Sequence, residues 1–187
     1  MKKVISAIIA FTLVMALACT NALAVAPLGM DDFTVKLGKT SIDFLTNDLD
    51  SMLKATGRKL QKKVFYPEGV YTEEYWIKAK EATLYFEPYT YFPYGASLTK
   101  KGVTARGIKI GSKESALLAA YPEPYYCDID GKYTYYSFRV PNTPDRLTAS
   151  DEVNLDKVRP VYYYELLVGV NNKTGKVSGI SFITNFL

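Results

Sequence analysis

The sequence predicts an α+β fold made of two similar units, each with one helix packed on antiparallel strands. Three observations support this prediction. Short aromatic-rich runs recur along the chain, and aromatic residues favour pleated, half-buried surfaces. Two segments, 46–57 and 112–122, carry apolar residues at helical spacing. The chain contains 16 Tyr. A tyrosine ring packs in a core while its hydroxyl prefers contact with solvent, so one face of the sheet is expected to be partly exposed.

The first 24 residues have the pattern of a bacterial export signal. A basic start precedes an apolar run, and a small-x-small cleavage site ends at Ala24. The run of about 15 residues is shorter than the roughly 20 needed to span a membrane. We therefore expect a signal peptide over 1–24, a secreted, extracytoplasmic protein and no transmembrane segment. The alternative is a lipoprotein-type site at 16–19, in which a lipid on Cys19 anchors the chain.

The first unit is expected at 39–95, after a flexible lead at 25–38. Residues 40–45 alternate as a short strand, and 46–57 predict a helix that Thr46 or Asn47 caps and Gly57 ends. The apolar stripe of this helix consists of Leu49, Met52 and Leu53. Three strand candidates follow, at 63–66, 74–80 and 82–86.

The second unit is expected at 96–187. Residues 107–111 lead into a helix that Ser112 caps and Pro122 ends. Asp130-Gly131 between aromatic-rich runs predicts a hairpin, and a second hairpin is expected over 161–184. The polar stretch 141–160 is expected to be a long surface loop. An internal repeat is expected because the helices of the two units align, with Met52 and Leu53 matching Leu117 and Leu118.

The segment 107–124, GIKIGSKESALLAAYPEP, resembles a sequence motif found in small exported bacterial domains. These are the β-lactamase-inhibitory-protein-like repeats and the SmpA/OmlA outer-membrane lipoprotein domain. The resemblance is carried by Gly111, Leu117, Leu118, Tyr121 and Pro124, while Pro122 stands where the families usually have Gly. It implies α+β units, in tandem in the inhibitory proteins, whose helices pack on antiparallel sheet. None of the families' binding residues can be matched here, and the inhibitory proteins' disulfides have no counterpart.

The absence of histidine excludes several reaction classes. It removes Ser-His-Asp and Cys-His mechanisms and most zinc and copper sites. Hydrolysis by Asp and Glu alone, and a Ser–Lys pair, survive this argument. Asp128 and Asp130 match a calcium loop only in part and are expected to belong to a hairpin turn, so we expect no metal and no cofactor.

Charge and cysteine content add two expectations. The chain carries 23 Lys and Arg against 19 Asp and Glu, which gives no argument for a nucleic-acid partner. Cys127 has no intramolecular partner once Cys19 is removed or lipidated, and it is expected to be a small buried apolar side chain.

The candidate binding residues lie in the aromatic and proline-rich segment 87–95. They are Tyr89, Tyr91, Phe92 and Tyr94. Rigid aromatic side chains between prolines are suited to anchor a protein or to stack on sugar rings. The alternative is that they cover one end of the sheet. Trp76, together with Tyr71 and Tyr75, is a second candidate, and the alternative for Trp76 is a core position.

These observations predict a non-catalytic extracytoplasmic module, not an enzyme. Its expected partner is an extracellular or envelope protein or a cell-envelope polymer. The alternative is a secreted, glycan-directed hydrolase that uses acidic residues.

Overall fold

The structure is a computed structural model that describes residues 25–43, 48–141 and 161–186 of the 187-residue chain. These residues form ten strands, two α-helices and two short 3-10 segments. Every strand pairing they make is antiparallel. The prediction of an α+β fold is therefore confirmed in that helices are combined with antiparallel strands. The helical content is low. The expected signal peptide, Cys19 and residues 142–160 of the expected loop lie outside the described residues.

The strands are numbered in chain order. They are β1 Thr34–Leu37, β2 Thr40–Asp43, β3 Gln61–Phe65, β4 Thr72–Lys78, β5 Ala82–Phe86, β6 Pro93–Leu98, β7 Tyr126–Asp130, β8 Tyr133–Pro141, β9 Val161–Asn171 and β10 Lys176–Phe186. The helices are α1 Leu49–Thr56 and α2 Glu114–Ala120, and the 3-10 segments are Met30–Phe33 and Pro67–Gly69. The two predicted hairpins, β7–β8 and β9–β10, are both confirmed.

Strands β1 and β2 form a hairpin, and the other eight strands form one sheet in the order β3-β4-β5-β6-β10-β9-β8-β7. Each half of this sheet is a four-stranded antiparallel meander, and the halves meet where β6 pairs with β10 over three residue pairs. Strands β3 and β7 are the outermost of the described strands. Residues 107–110, the counterpart of β2 in the expected repeat, form no strand. The division into two similar units stays a prediction.

The inner face of the sheet carries the hydrophobic core. Buried side chains alternate along the strands, as in Ala82, Leu84 and Phe86 of β5. The Phe33 ring lies 5.6 Å from the Tyr164 ring, measured between centroids. The helices add Met52 and Leu117, both fully buried. The opposite, outer face carries Trp76, Tyr85, Tyr94 and Tyr135, which are half-buried.

Helix α1 begins one or two residues later than expected. Its N-cap is Asp48, whose carboxylate accepts a hydrogen bond of 2.7 Å from the Ser51 N–H, so the expected cap at Thr46 or Asn47 is wrong. Gly57 ends the helix as expected, because its left-handed backbone, with φ of 61°, suits a residue without Cβ.

Helix α2 differs from the sequence prediction at its N-terminus. Ser112 does not cap it: the Ser112 hydroxyl accepts a hydrogen bond from the Lys109 N–H, and Lys113 occupies the N-cap position. The helix ends at Ala120, with Tyr121 as its C-cap and Pro122 next in the chain, as expected. The Tyr121 N–H still donates to the Leu117 carbonyl at 3.0 Å. Leu117 is buried as expected, whereas Leu118 is exposed.

The segment 25–38 is packed against the body, which corrects the expected flexible lead. Phe33, Val35 and Leu37 are buried in the core. The Arg106 guanidinium binds both carboxylate oxygens of Asp32 at 2.7 Å. Its remaining donors reach the carbonyls of Ala26, Pro27 and Ala120 at 2.8 to 2.9 Å. Burial of apolar side chains and a guanidinium whose N–H donors are all used in hydrogen bonds together hold the segment in place.

Cys127 is exposed, which corrects the expected buried position. It lies on β7, where all five residues are exposed. The reason is topological, because β7 is the outermost described strand on its side of the sheet and borders β8 alone. A residue can have the composition of a core position and still be exposed when its strand lies at an edge.

Candidate functional site

Tyr89 and Tyr91 belong to a group of five tyrosines at one end of β3 and β4. We call this group the tyrosine patch; it consists of Tyr66, Tyr71, Tyr75, Tyr89 and Tyr91. The Tyr75 and Tyr91 rings meet edge to face, with centroids 5.3 Å apart. The Tyr66 and Tyr71 rings do the same at 5.6 Å. Tyr89 belongs to the same loop as Tyr91, two residues before it in the chain.

The carboxylate of Glu73 lies at the centre of the tyrosine patch. Residues 71, 73 and 75 share one face of the chain as it enters and runs along β4, because alternate side chains of a strand point the same way. The hydroxyls of Tyr71 and Tyr75 both donate hydrogen bonds to Glu73. The ammonium of Lys62, on the neighbouring strand β3, forms an ion pair with the same carboxylate and lies 5.3 Å from the centroid of the Tyr75 ring.

These contacts fix the charge of the site. The hydrogen bond and charge of Lys62, with the two tyrosine hydroxyls, lower the pKa of Glu73 to about 2. The hydrogen bond to Glu73 raises the pKa of Lys62 and that of Tyr71. At neutral pH the centre of the patch therefore holds an ionised carboxylate, an ammonium and neutral phenols.

The backbone of the segments that carry the tyrosine patch is strained. Among the described residues other than glycine, positive φ angles occur at Glu68, Tyr89 and Tyr91, with values of 50°, 71° and 55°. Such a conformation costs a bulky residue on the order of 1–3 kcal/mol and persists only where the surrounding structure enforces it. Here hydrogen bonds within 87–92 enforce it: the Glu87 N–H reaches the Phe92 carbonyl at 2.9 Å, and the Tyr91 N–H reaches the Glu87 carbonyl at 3.1 Å.

The strained loop presents its aromatic rings to solvent. Tyr89 is 81% exposed, although a tyrosine ring is largely apolar. Tyr66 and Tyr71 are also exposed, and Tyr91 and Phe92 are slightly more than one-third exposed. These rings lie at one end of the sheet, as the alternative interpretation expected, but Tyr66 and Tyr89 leave most of their surface uncovered.

The other two candidate residues lie on the outer face of the sheet. Tyr94 belongs to β6, so its expected place in an irregular loop is wrong. An irregularity in the β5–β6 register after Tyr85 allows Tyr94 to approach Tyr85, with ring centroids 6.1 Å apart. Trp76 is directly opposite Tyr85 in the β4–β5 register and is half-buried, not in the core. The five predicted binding residues thus divide between two surfaces.

Sequence reasoning missed Glu73 and Tyr66 as members of the site. The signal was present, because Tyr71, Glu73 and Tyr75 occupy alternate positions next to and within a predicted strand. The position of the 87–92 loop beside this face was not predictable from the sequence, because it depends on the pairing of β5 with β6.

The remaining chemistry of the described residues is limited. Over 25–43, 48–141 and 161–186 no group of three or more His, Cys, Asp or Glu side chains is placed to hold a metal ion. Within the same residues, no helix has the length and apolar content required to cross a membrane. Comparisons with protein-family models, curated proteins and solved structures found no match.

Proposed function

We propose that this chain is a non-catalytic extracytoplasmic binding module that binds a protein or a cell-envelope polymer through the tyrosine patch. The observation that carries the proposal is the strained, exposed presentation of Tyr89 and Tyr91. Folding alone gives no reason to hold Tyr89 in a costly conformation with its ring 81% exposed to water, beside a second strained tyrosine, Tyr91, that is 39% exposed. Rigid, pre-organised rings lose little conformational freedom on binding, which makes them effective anchors.

The glycan-directed hydrolase is the weaker candidate. Its mechanism needs a carboxyl group that is protonated near neutral pH and serves as the general acid. Glu73, the carboxyl group at the centre of the patch, has its pKa lowered to about 2 and is therefore ionised. Its oxygens are also occupied by Lys62 and two tyrosine hydroxyls. This arrangement favours recognition over proton transfer.

The extracytoplasmic location is part of the proposal and rests on the signal-peptide pattern of residues 1–24. Arg106 binds the carbonyl of Ala26, two residues after the expected cleavage site at Ala24. A chain that begins at Val25 would thus start at the surface of the body. In the lipid-anchored alternative, the link between Cys19 and the body would be residues 20–25.

We also propose that the two halves of the sheet are copies of one unit, related to the families that the 107–124 segment resembles. The support is the order of elements. Each half has a helix followed by a four-stranded antiparallel meander, and the last strand of each meander, β6 or β10, lies at the centre.

The proposed function is tested by capture with the immobilised chain beginning at Val25. Culture medium and solubilised envelope of the producing organism are passed over wild type and over a variant with Tyr89→Ala and Tyr91→Ala. Bound proteins are quantified by mass spectrometry and bound polymers by sugar and phosphate analysis. We expect a saturable partner whose capture falls at least about tenfold in the variant, because exposed anchor rings typically contribute more than 1 kcal/mol each.

Tyr125→Ala is the matched control, since Tyr125 is a comparably exposed tyrosine outside the patch. A second variant, with Trp76→Ala and Tyr94→Ala, tests the outer face. If this second variant alone abolishes capture, the binding surface is the outer face and the tyrosine patch is excluded. If every variant captures the partner as wild type does, neither aromatic surface binds it.

A further inference from the structure

A cleft at the other end of β3 and β4 is lined by four cationic side chains. The lining residues are Gly57, Arg58, Lys59, Gln61, Lys78, Ala79 and Lys80, and the volume is about 620 Å³. No Asp or Glu is among them. In the part of the chain that the structure describes, none of the four cations takes part in a salt bridge.

Two ordered turns bring these cations together from separate parts of the chain. The first follows α1, where the Gly57 N–H binds the Leu53 carbonyl at 2.9 Å and the Thr56 hydroxyl accepts from the Arg58 N–H at 3.2 Å. These bonds fix the direction in which Arg58 and Lys59 leave the helix.

The second turn joins β4 to β5 and carries Lys78 and Lys80. A hydrogen bond of 2.9 Å from the Ala79 N–H to the Ala82 carbonyl closes this turn. Thr99, which lies outside the turn, stabilises it through two hydrogen bonds. The Thr99 hydroxyl donates to the Lys80 carbonyl at 2.6 Å, and the Thr99 N–H donates to the Glu81 carbonyl at 2.8 Å. The cations therefore project from braced backbone and not from a long free loop.

We propose that this cleft binds a polyanion that carries phosphate groups in series, as a soluble or cell-wall polymer and not as a lipid surface. Four like charges around one open cavity repel one another, and a bound anion relieves that repulsion. Exposed lysine and arginine side chains bind phosphate strongly because binding releases condensed counterions from a polyanion. The volume exceeds that of a single phosphate group, so neighbouring groups of one polymer can each meet a cation.

This cleft is separate from the tyrosine patch, and its function does not depend on the proposed function of that patch. The ionised Glu73 is neutralised by Lys62, so it does not repel an anion bound further along β3. A polymer that fills the cleft would leave Tyr89 and Tyr91 free.

The test measures binding of fluorescently labelled short-chain linear polyphosphate to the chain beginning at Val25, by fluorescence anisotropy near 100 mM salt. We expect saturable binding that weakens as salt is raised. Lys78→Ala with Lys80→Ala should weaken it about tenfold or more, since each lost cation reduces the number of counterions that binding releases from the polyanion. Lys100→Ala with Lys101→Ala removes the same charge from exposed lysines outside the lining and should leave binding within about twofold of wild type.

Three results would overturn the proposal. The first is absence of saturable polyphosphate binding. The second is an equal loss in the two double variants, which would show attraction by net charge alone. The third is binding to vesicles containing phosphatidylglycerol without binding to polyphosphate, which would identify a lipid surface as the partner. The variant with Tyr89→Ala and Tyr91→Ala should bind polyphosphate as wild type does, so failure of this proposal and failure of the proposed function are distinguishable.

Discussion

At the scale of single residues, Tyr121 shows how one side chain combines strong packing with an unmet polar group. Its ring is fully buried and lies 5.1 Å from the Phe138 ring and 5.1 Å from the Arg106 guanidinium. Its hydroxyl oxygen makes no hydrogen bond of normal geometry among the described residues, although the Thr104 side chain and the Arg106 backbone lie near enough to act on its pKa. Burial raises the pKa of Tyr121 to about 12, so the phenol is neutral. The ring stabilises the fold, whereas the hydroxyl does not.

This separation predicts opposite effects of two substitutions at Tyr121. Tyr121→Phe removes an oxygen that makes no hydrogen bond of normal geometry, so the free energy of unfolding should be unchanged or rise by up to about 1 kcal/mol. Tyr121→Ala removes the ring and should lower it by about 3–5 kcal/mol. Urea denaturation of both variants measures the two effects. A loss of more than about 1 kcal/mol in Tyr121→Phe would show that the hydroxyl has a partner.

Glu73 predicts a dependence of stability on pH. Its pKa is about 2 in the folded chain and near 4.5 as an isolated side chain. A lowered folded pKa means that the unfolded chain binds the proton more tightly, so this contribution is present above about pH 4.5 and lost as the pH falls towards 2. Glu73→Gln should have a lower Tm than wild type at pH 7, and the difference should shrink between pH 5 and pH 2. A difference that stays constant over this range would contradict the assigned ion pair with Lys62.

At the scale of elements, Arg106 joins the N-terminal segment to the end of α2. Its five N–H donors are all used, on Asp32 and on three backbone carbonyls. A lysine has three donors and no planar fork, so it cannot reproduce this arrangement. Together with apolar burial, the connection holds the segment containing Phe33 on the inner face.

We therefore expect Arg106→Ala to lower the free energy of unfolding by about 3 kcal/mol, since it leaves the Asp32 carboxylate partly buried and unpaired. Arg106→Lys should recover only part of that loss. Arg58→Lys, at an exposed position, is the matched control and should change stability by less than about 0.5 kcal/mol. Limited proteolysis should cut within residues 25–33 faster in both Arg106 variants. Wild-type stability and cleavage in Arg106→Lys would show that the bidentate contact is dispensable.

Local signals predicted most elements, and they failed where distant parts of the chain decide the outcome. Alternation located β5 at its observed bounds, and Gly57 marked the end of α1. The burial of Cys127 was wrong because strand order, which puts β7 at an edge, is not written in the local pattern. Tyr94 was assigned to a loop because Pro93 interrupts the aromatic run, yet Pro93 is the first residue of β6.

The candidate site was predictable in part for the same reason. Tyr89 and Tyr91 were found because aromatic residues between prolines are unusual in any loop. Their placement beside Glu73 depends on tertiary contacts between 87–92 and β4, which no local pattern records. The grouping of Trp76 with Tyr71 and Tyr75 failed because side chains one position apart on a strand, here Tyr75 and Trp76, point to opposite faces.

At the scale of the whole molecule, the two halves of the sheet share one core. The pairing between β6 and β10 covers only three residue pairs, which alone would be a weak junction. The core cluster nevertheless runs across it, from Ile77 and Leu84 in one half to Leu166 and Val168 in the other. Phe33, which precedes both halves in the chain, packs on the second half. Burial of apolar surface across the junction couples the halves more strongly than the backbone pairing does.

This coupling predicts that the chain unfolds in a single cooperative transition, and each half offers its own probe. Trp76 is the only tryptophan of the chain and reports on the first half. A dye on the exposed Cys127, in the chain beginning at Val25, reports on the second half. Urea titrations followed by both probes should give the same midpoint and the same slope, as two-state unfolding requires. Gly95→Val should lower both midpoints together, because a Cβ at Gly95 meets the Phe182 carbonyl oxygen at 3.0 Å, where β6 and β10 meet. Separate midpoints in the wild-type chain would show two independent units that merely adjoin, and the shared core would then contribute little to the junction.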